Sequence, residues 1–190
     1  METWKINDKI LDFEEETHTY YVDGVPVHSV TQLLSKKFPN KYSDIPKDVL
    51  QKAAERGTQV HKAIECYCHG FDDGSLEVDD FKFLQKHYKF SVEQNELPMI
   101  LTLNGKTYAG RADMLIMLND ELSVADIKTT STVDKEYLGH QLNLYKLGIE
   151  ESYGYKIKGL YGIHLRDGKR KLIKIPIVSE IDLIESLEGV

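Results

Sequence analysis

Gly110-Arg111-Ala112-Asp113 and Ala125-Asp126-Ile127-Lys128, whose Asp126 lies 13 residues beyond Asp113, decide how this chain is read. Both stretches are strand-like, and the turn-forming pair Asn119-Asp120 falls between them. An extended strand alternates its side chains, so Asp126 and Lys128 project from one face while Ile127 points into the core. Folding Tyr108–Leu118 back against Leu122–Thr129 brings Asp113 beside that pair. Two carboxylates and an ammonium then share one small volume. Like charges that close are costly unless a cation sits between them, so the cluster reads as a divalent-metal site with a lysine at its edge.

Around this hairpin the chain alternates strand and helix signals. Ile10–Phe13, Thr19–Val22 and Val25–His28 read as short strands about Asp23-Gly24, and Ser29 caps a short helix, Val30–Lys36. Pro46 suits the first turn of a long helix running to about His69, with Gly70 as its stop. Val78–Glu96 reads as a further helix, ended by Pro98. Met99–Leu103 meets Asn104-Gly105, a strong two-residue hairpin signal, and pairs with Lys106–Leu118. Val133–Gly148 has helical spacing; Ile157–Arg166 and Lys171–Val178 form a hairpin about Asp167-Gly168, and Ser179 caps a last helix. The expected class is α/β, a central mixed β-sheet flanked by helices. One domain is expected over 1–190: an N-terminal β-hairpin and helix extension (1–45), a core (46–178) and a C-terminal helix (179–190).

Composition narrows the function. The hydrophobic fraction of 41% and charged fraction of 29% are those of a soluble globular protein. No apolar run is long enough for a membrane helix and no signal peptide is evident, so the expected location is cytoplasmic. Cys66 and Cys68 diverge on a helix, which excludes a local disulfide, and two cysteines cannot ligate an iron–sulfur cluster alone. A net charge of −7 argues against indiscriminate nucleic-acid binding, yet Lys156, Lys158, Arg166, Lys169, Arg170, Lys171 and Lys174 form a basic stretch. Lys36, Lys37, Lys41, Lys47 and Lys52 form a looser one, so a polyanion could find a local positive surface. Charge runs are more often solvated faces. Tyr153, Tyr155 and Tyr161 could stack on single-stranded bases, though core packing is the commoner fate.

Further candidates lie on the helices. His61 and Glu65 are i and i+4 on the long helix, and Gly57 permits close approach of another backbone there. A lone helical histidine is usually structural; the carboxylate-rich strands downstream make this one a candidate ligand. Glu65 is either an outer partner orienting His61 or a water-mediated ligand. Gln141 and Tyr145, again i and i+4, lie on the helix that crosses back over the Asp126/Lys128 strand. They form either a polar face with Tyr145 partly in the core, or a group in which Gln141 hydrogen-bonds into the site and Tyr145 touches a phosphate or supports the lysine.

Gly57…His61, Gly110-Arg111-Ala112-Asp113, Asp126-Ile127-Lys128 and Gln141…Tyr145 occur in the order and approximate spacing of the RecB-type branch of the PD-(D/E)XK nucleases. The chain resembles the small phage-encoded exonucleases of that branch from about Thr17 to Arg166. The resemblance implies a restriction-endonuclease-like αβββαβ core. It also implies that His61, Asp113, Asp126 and the Ile127 backbone carbonyl hold Mg²⁺ or Mn²⁺. Lys128 would position or deprotonate the attacking water, and Gln141 and Tyr145 would complete the pocket. The expected function is a metal-dependent DNA exonuclease in phage-type recombination or DNA processing, its partners DNA and a recombination or single-strand-binding protein. The alternatives are a structure-specific or nicking endonuclease of the same fold and a nucleic-acid-binding module without catalysis. The four cysteines that some relatives carry for an iron–sulfur cluster are absent here.

Overall fold

A computed structural model describes residues 1–39, 41 and 43–187. Residues 40 and 42 of the expected extension and 188–190 of the expected last helix lie outside the described residues.

The chain opens with four antiparallel strands, β1 (Glu2–Ile6), β2 (Lys9–Glu14), β3 (Thr19–Val22) and β4 (Val25–Ser29). At the β3–β4 turn Asp23 and Gly24 have φ of +51° and +77°, the left-handed pair that a tight hairpin requires. Ser29 then starts α1 (Val30–Lys37) in a reciprocal cap: its Oγ accepts from Gln32 N at 3.0 Å, and Gln32 Oε1 accepts from Ser29 N at 2.9 Å. α2 (Lys47–Cys68) and α3 (Leu76–Tyr88) follow, then the meander β5 (Ser91–Leu103), β6 (Lys106–Leu118) and β7 (Glu121–Lys128). α4 (Lys135–Tyr153) crosses from β7 to the parallel strand β8 (Gly159–Arg166). β9 (Lys169–Ile175) returns antiparallel, and α5 (Glu180–Ser186) completes the described elements. The expected αβββαβ order is present as α2, β5–β7, α4 and β8, with α3 inserted after α2.

All nine described strands join one mixed sheet. The side facing α1, α4 and α5 buries Leu34, Met99, Leu142 and Leu160; the side facing α2 and α3 buries Ile64, Phe81, Met114 and Ile163. A smaller cluster of Leu11, Phe13, Tyr20 and Ile100 seats the opening strands.

Two expectations are corrected. The helix expected over 78–96 ends at Tyr88, where Lys89 turns left-handed at φ +56°, and Ser91–Leu103 is strand. A register shift between Val92 and Gln94 hides the strand's alternation, while long pairing with β6 outweighs local helix preference. Pro98 therefore lies within a strand rather than ending a helix, on a strand whose one partner in the sheet is β6. β1 is an additional strand before Ile10. The N-terminal strands join the core sheet, because β4 pairs parallel with β6 through His28–Tyr108 and Ser29–Ala109.

That pairing creates the feature that positions the site. β5 occupies one edge of β6 along its length, so β4 and β7 must share the other. β4 takes it at Tyr108–Ala109 and β7 from Met114 onward. Gly110-Arg111-Ala112-Asp113 spans the fork where the two neighbours part.

Candidate metal centre

At the fork, the Asp113 side chain takes over a backbone role. Its Oδ2 accepts from the Ile127 amide at 2.7 Å, tying β6 to β7 just where their ladder has ended. His61 reaches the same point from α2. Its Nδ1 lies 3.5 Å from Asp113 Oδ2 and its Nε2 3.1 Å from the Ile127 carbonyl oxygen. A carbonyl only accepts, so Nε2 must carry hydrogen; in a neutral ring Nδ1 would then turn a lone pair toward a carboxylate. In that tautomer the Nδ1 lone pair is free to ligate a cation beside Asp113. Gly57 of α2 faces Thr129 there, but a β-carbon would sit 3.5 Å from Thr129 Oγ1, an ordinary contact, so the approach of α2 does not require a glycine at this position.

A carboxylate that the sequence reading missed completes the group. Ligand atoms of His61, Glu96 and Asp113 all lie within 4.8 Å of one another, the spacing of groups able to share one cation. Glu96 sits in β5 with φ +49°, and the flanking pairs Asn95–Met114 and Leu97–Ala112 set it across from Asp113. A left-handed non-glycine residue costs on the order of 1–3 kcal/mol and persists only where its surroundings hold it. The signal was available. Counting outward from the Asn104-Gly105 turn puts Glu96 opposite Asp113, but assigning 78–96 to a helix concealed it.

The electrostatics express the crowding. Burial, then the Asp126 charge, pushes the Asp113 carboxyl up to about 6, against the opposing pull of His61 and Lys128. Burial and the Asp113 charge likewise raise Glu96. Both carboxylates thus hold their charge at a cost that a bound cation would relieve.

Beside this group runs a second chain of contacts. Lys128 Nζ lies 2.6 Å from Asp126 Oδ2 in a buried ion pair and donates to Gln141 Oε1 at 3.0 Å. Gln141 Nε2 donates to Tyr145 OH at 3.2 Å. Asp126 is only 2% exposed. Burial works against the charged form of Lys128, yet Asp126 and Asp113 outweigh it and hold the ammonium above its ordinary range. Burial pushes the Tyr145 phenol well above its ordinary value. Gly110 lets Tyr145 in, since a β-carbon there would come within 3.3 Å of its ring and 2.8 Å of the Met99 methyl.

The expected residues therefore fall into two adjoining groups. His61, Asp113 and the Ile127 carbonyl meet, with Glu96 added. Asp126, Lys128, Gln141 and Tyr145 form the second group, outside the 4.8 Å cluster but near enough for Asp126 to raise Asp113. Glu65 borders the same cavity, of about 860 Å³, but its Oε2 lies 2.9 Å from Lys62 Nζ rather than within the cluster.

Several other residues have structural employment. Arg166 pairs with Asp167 and donates to the Thr129 carbonyl, while Arg170 pairs with the buried Asp80 at 2.6 Å. Tyr153 stacks on Tyr155 and donates to the Pro98 carbonyl, and Tyr161 packs against the α2–α3 core. Both cysteines are free and half-buried. No described helix is long and apolar enough to cross a membrane.

No family model matches this chain, and no curated protein matches it. Among solved structures it is similar to a protein from Eubacterium rectale named "Putative exonuclease", with a TM-score of 0.51 and 14% identity over 85% of this chain and 76% of that one. It also aligns with the protein SSO0001 at a TM-score of 0.48 and 15% identity, over 85% of this chain and 73% of that one. The first similarity agrees with a restriction-endonuclease-like fold for this α/β chain.

Proposed function

We propose that this chain is a divalent-metal-dependent deoxyribonuclease of the RecB-like PD-(D/E)XK type, acting as an exonuclease on DNA ends. The carrying observation is the meeting of His61, Glu96 and Asp113 beside the buried Asp126–Lys128 pair. The name of the Eubacterium rectale neighbour points the same way.

The residues fit a hard cation. Mg²⁺ or Mn²⁺ would be held by His61, Asp113 and Glu96, with Asp126 and the Ile127 carbonyl at its edge; an imidazole in the set suits Mn²⁺ as well as Mg²⁺. Such a cation, when bound, acidifies a coordinated water and neutralises phosphate charge. Lys128 is the cationic donor in this reading. Held protonated by the two carboxylates, it orients the attacking water or meets charge growing on the phosphate oxygens. Gln141 aims the ammonium through its Oε1, and Tyr145 fixes Gln141 from the helix interior. Asp113 braces β7 through the Ile127 amide, keeping the Ile127 carbonyl in place.

Incubating end-labelled linear DNA and covalently closed circular DNA with Mg²⁺, Mn²⁺ or EDTA tests this. Linear DNA should be degraded with either metal, the circle should survive, and EDTA should stop the reaction. Asp126→Ala and Lys128→Ala should each abolish cleavage while leaving the circular dichroism spectrum intact. Activity retained by either purified variant removes the assignment; cleavage of the circle replaces the exonuclease by an endonuclease.

A further inference from the structure

The opening strands reach the candidate centre through Arg111. This residue lies two positions before Asp113 on β6 and borders the same cavity. Its Nε lies 2.9 Å from Glu96 Oε2, and its Nη1 lies 3.0 Å from Glu2 Oε2 and 3.3 Å from Glu2 Oε1. Its guanidinium carbon also sits 5.3 Å from the Phe13 ring centre and 5.9 Å from that of Trp4, within cation–π range. Carboxylates and rings from β1, β2 and β5 thus hold one planar fork in a single orientation.

Glu96 needs such a hold. Its left-handed backbone turns it toward Asp113 and His61, and bringing another carboxylate close to Asp113 is unfavourable without a counter-charge. We propose that Arg111 is a positioning residue of the metal centre: by gripping Glu96 it keeps that carboxylate in the ligand group. Through Glu2 and Trp4, strand β1 becomes part of the centre. This rests on the metal-dependent reading above. A guanidinium already engaged by two carboxylates and two rings is spoken for, which argues against its serving as a free phosphate clamp.

The sign of one measurement separates positioning from a simple field effect. Arg111 is a cation near a cation site, so deleting its charge should tighten metal binding if it acts through charge alone. If it positions Glu96, deletion should loosen binding, because partners that orient a ligand typically contribute about 10–100-fold in metal affinity. Titrating Mn²⁺ into the full chain without nucleic acid, followed by the electron paramagnetic resonance of free Mn²⁺, reads this directly. Arg111→Gln should weaken binding about tenfold or more. Arg111→Lys keeps the charge and loses the fork, and should also weaken it, by a smaller factor; this variant decides the matter if Arg111→Gln does not fold. Unchanged or tighter binding in these variants overturns the proposal and leaves the metal centre standing. Failure of the unaltered chain to bind Mn²⁺ removes the metal reading itself, and the proposal with it.

Discussion

Asp113 carries the sharpest conflict in the molecule. It braces β7 through the Ile127 amide, which needs a fixed carboxylate, yet burial and Asp126 hold its pKa near about 6, against an ordinary 3.8. The folded chain therefore binds this proton more tightly than the unfolded chain. For this group, stability of the cation-free protein falls as pH rises from about 4 to about 6, and the penalty disappears below both values. Asp113→Asn keeps an acceptor for the Ile127 amide and removes the charge. Its melting temperature in EDTA should exceed that of the parent chain by a few degrees at about pH 7.5, the difference shrinking to nothing near about pH 4. A lower melting temperature at neutral pH would mean that the carboxylate is a net stabiliser. Asp113, Asp126 and Lys128 were legible in the linear sequence because a hairpin and a strand's alternation suffice to bring them together. Glu96 is legible only by counting outward from the Asn104-Gly105 turn, once its segment is taken as strand and not helix.

That choice belongs to the elements. Val78–Glu96 has helical spacing as far as Tyr88, and nothing local announces that the residues beyond Lys89 will pair with a long β6. The helix α4 was readable from its periodicity but runs five residues past the expected Gly148, to Tyr153, because Ile149 and Ser152 are buried against the sheet. Gly148 is where that helix presses closest. A β-carbon there would fall 1.9 Å from Met99 Sδ, inside the fully buried core. Alanine would gain about 1 kcal/mol of helix preference, but overpacking a closed core costs roughly 1–3 kcal/mol. Gly148→Ala should therefore lower stability to urea, and combining it with Met99→Ala should cost less than the two separate effects summed. At the opposite face, Asp80 on α3 is 1% exposed and is held by Arg170 of β9 at 2.6 Å. Leaving that carboxylate unpartnered through Arg170→Gln should destabilise by roughly 2 kcal/mol in urea denaturation, below the usual cost for a buried pair because the arginine is partly solvated. The basic stretch of 156–174 thus divides on folding, its arginines committed to internal pairs and its lysines left on the surface.

Across the whole molecule, the sheet links the opening strands to the candidate centre, so cation binding should be felt as global stability. Anything that binds only the folded chain stabilises it by mass action, about 2.7 kcal/mol at a hundred times the dissociation constant. For a chain of this size that corresponds to roughly 5–10 °C. Saturating Mn²⁺ should raise the melting temperature by that amount, EDTA should reverse it, and a Glu96→Gln, Asp113→Asn double variant should show no rise. A rise that survives in the double variant would place the cation elsewhere. The net charge of −7 adds a second consequence, because a chain of that sign should hold DNA weakly until divalent cations screen the centre.

Turn pairs, strand alternation, helix spacing and caps were enough to settle the α/β class, the αβββαβ order and the convergence of Asp113 with Asp126 and Lys128. All of these depend on residues close in the chain or joined by a short turn. Two things needed the folded chain: the fork in β6 that leaves Asp113 to tie β7, and the reach of Arg111 to β1. Both depend on pairings between segments up to about a hundred residues apart, such as Glu2 with Arg111, and only the sheet decides those.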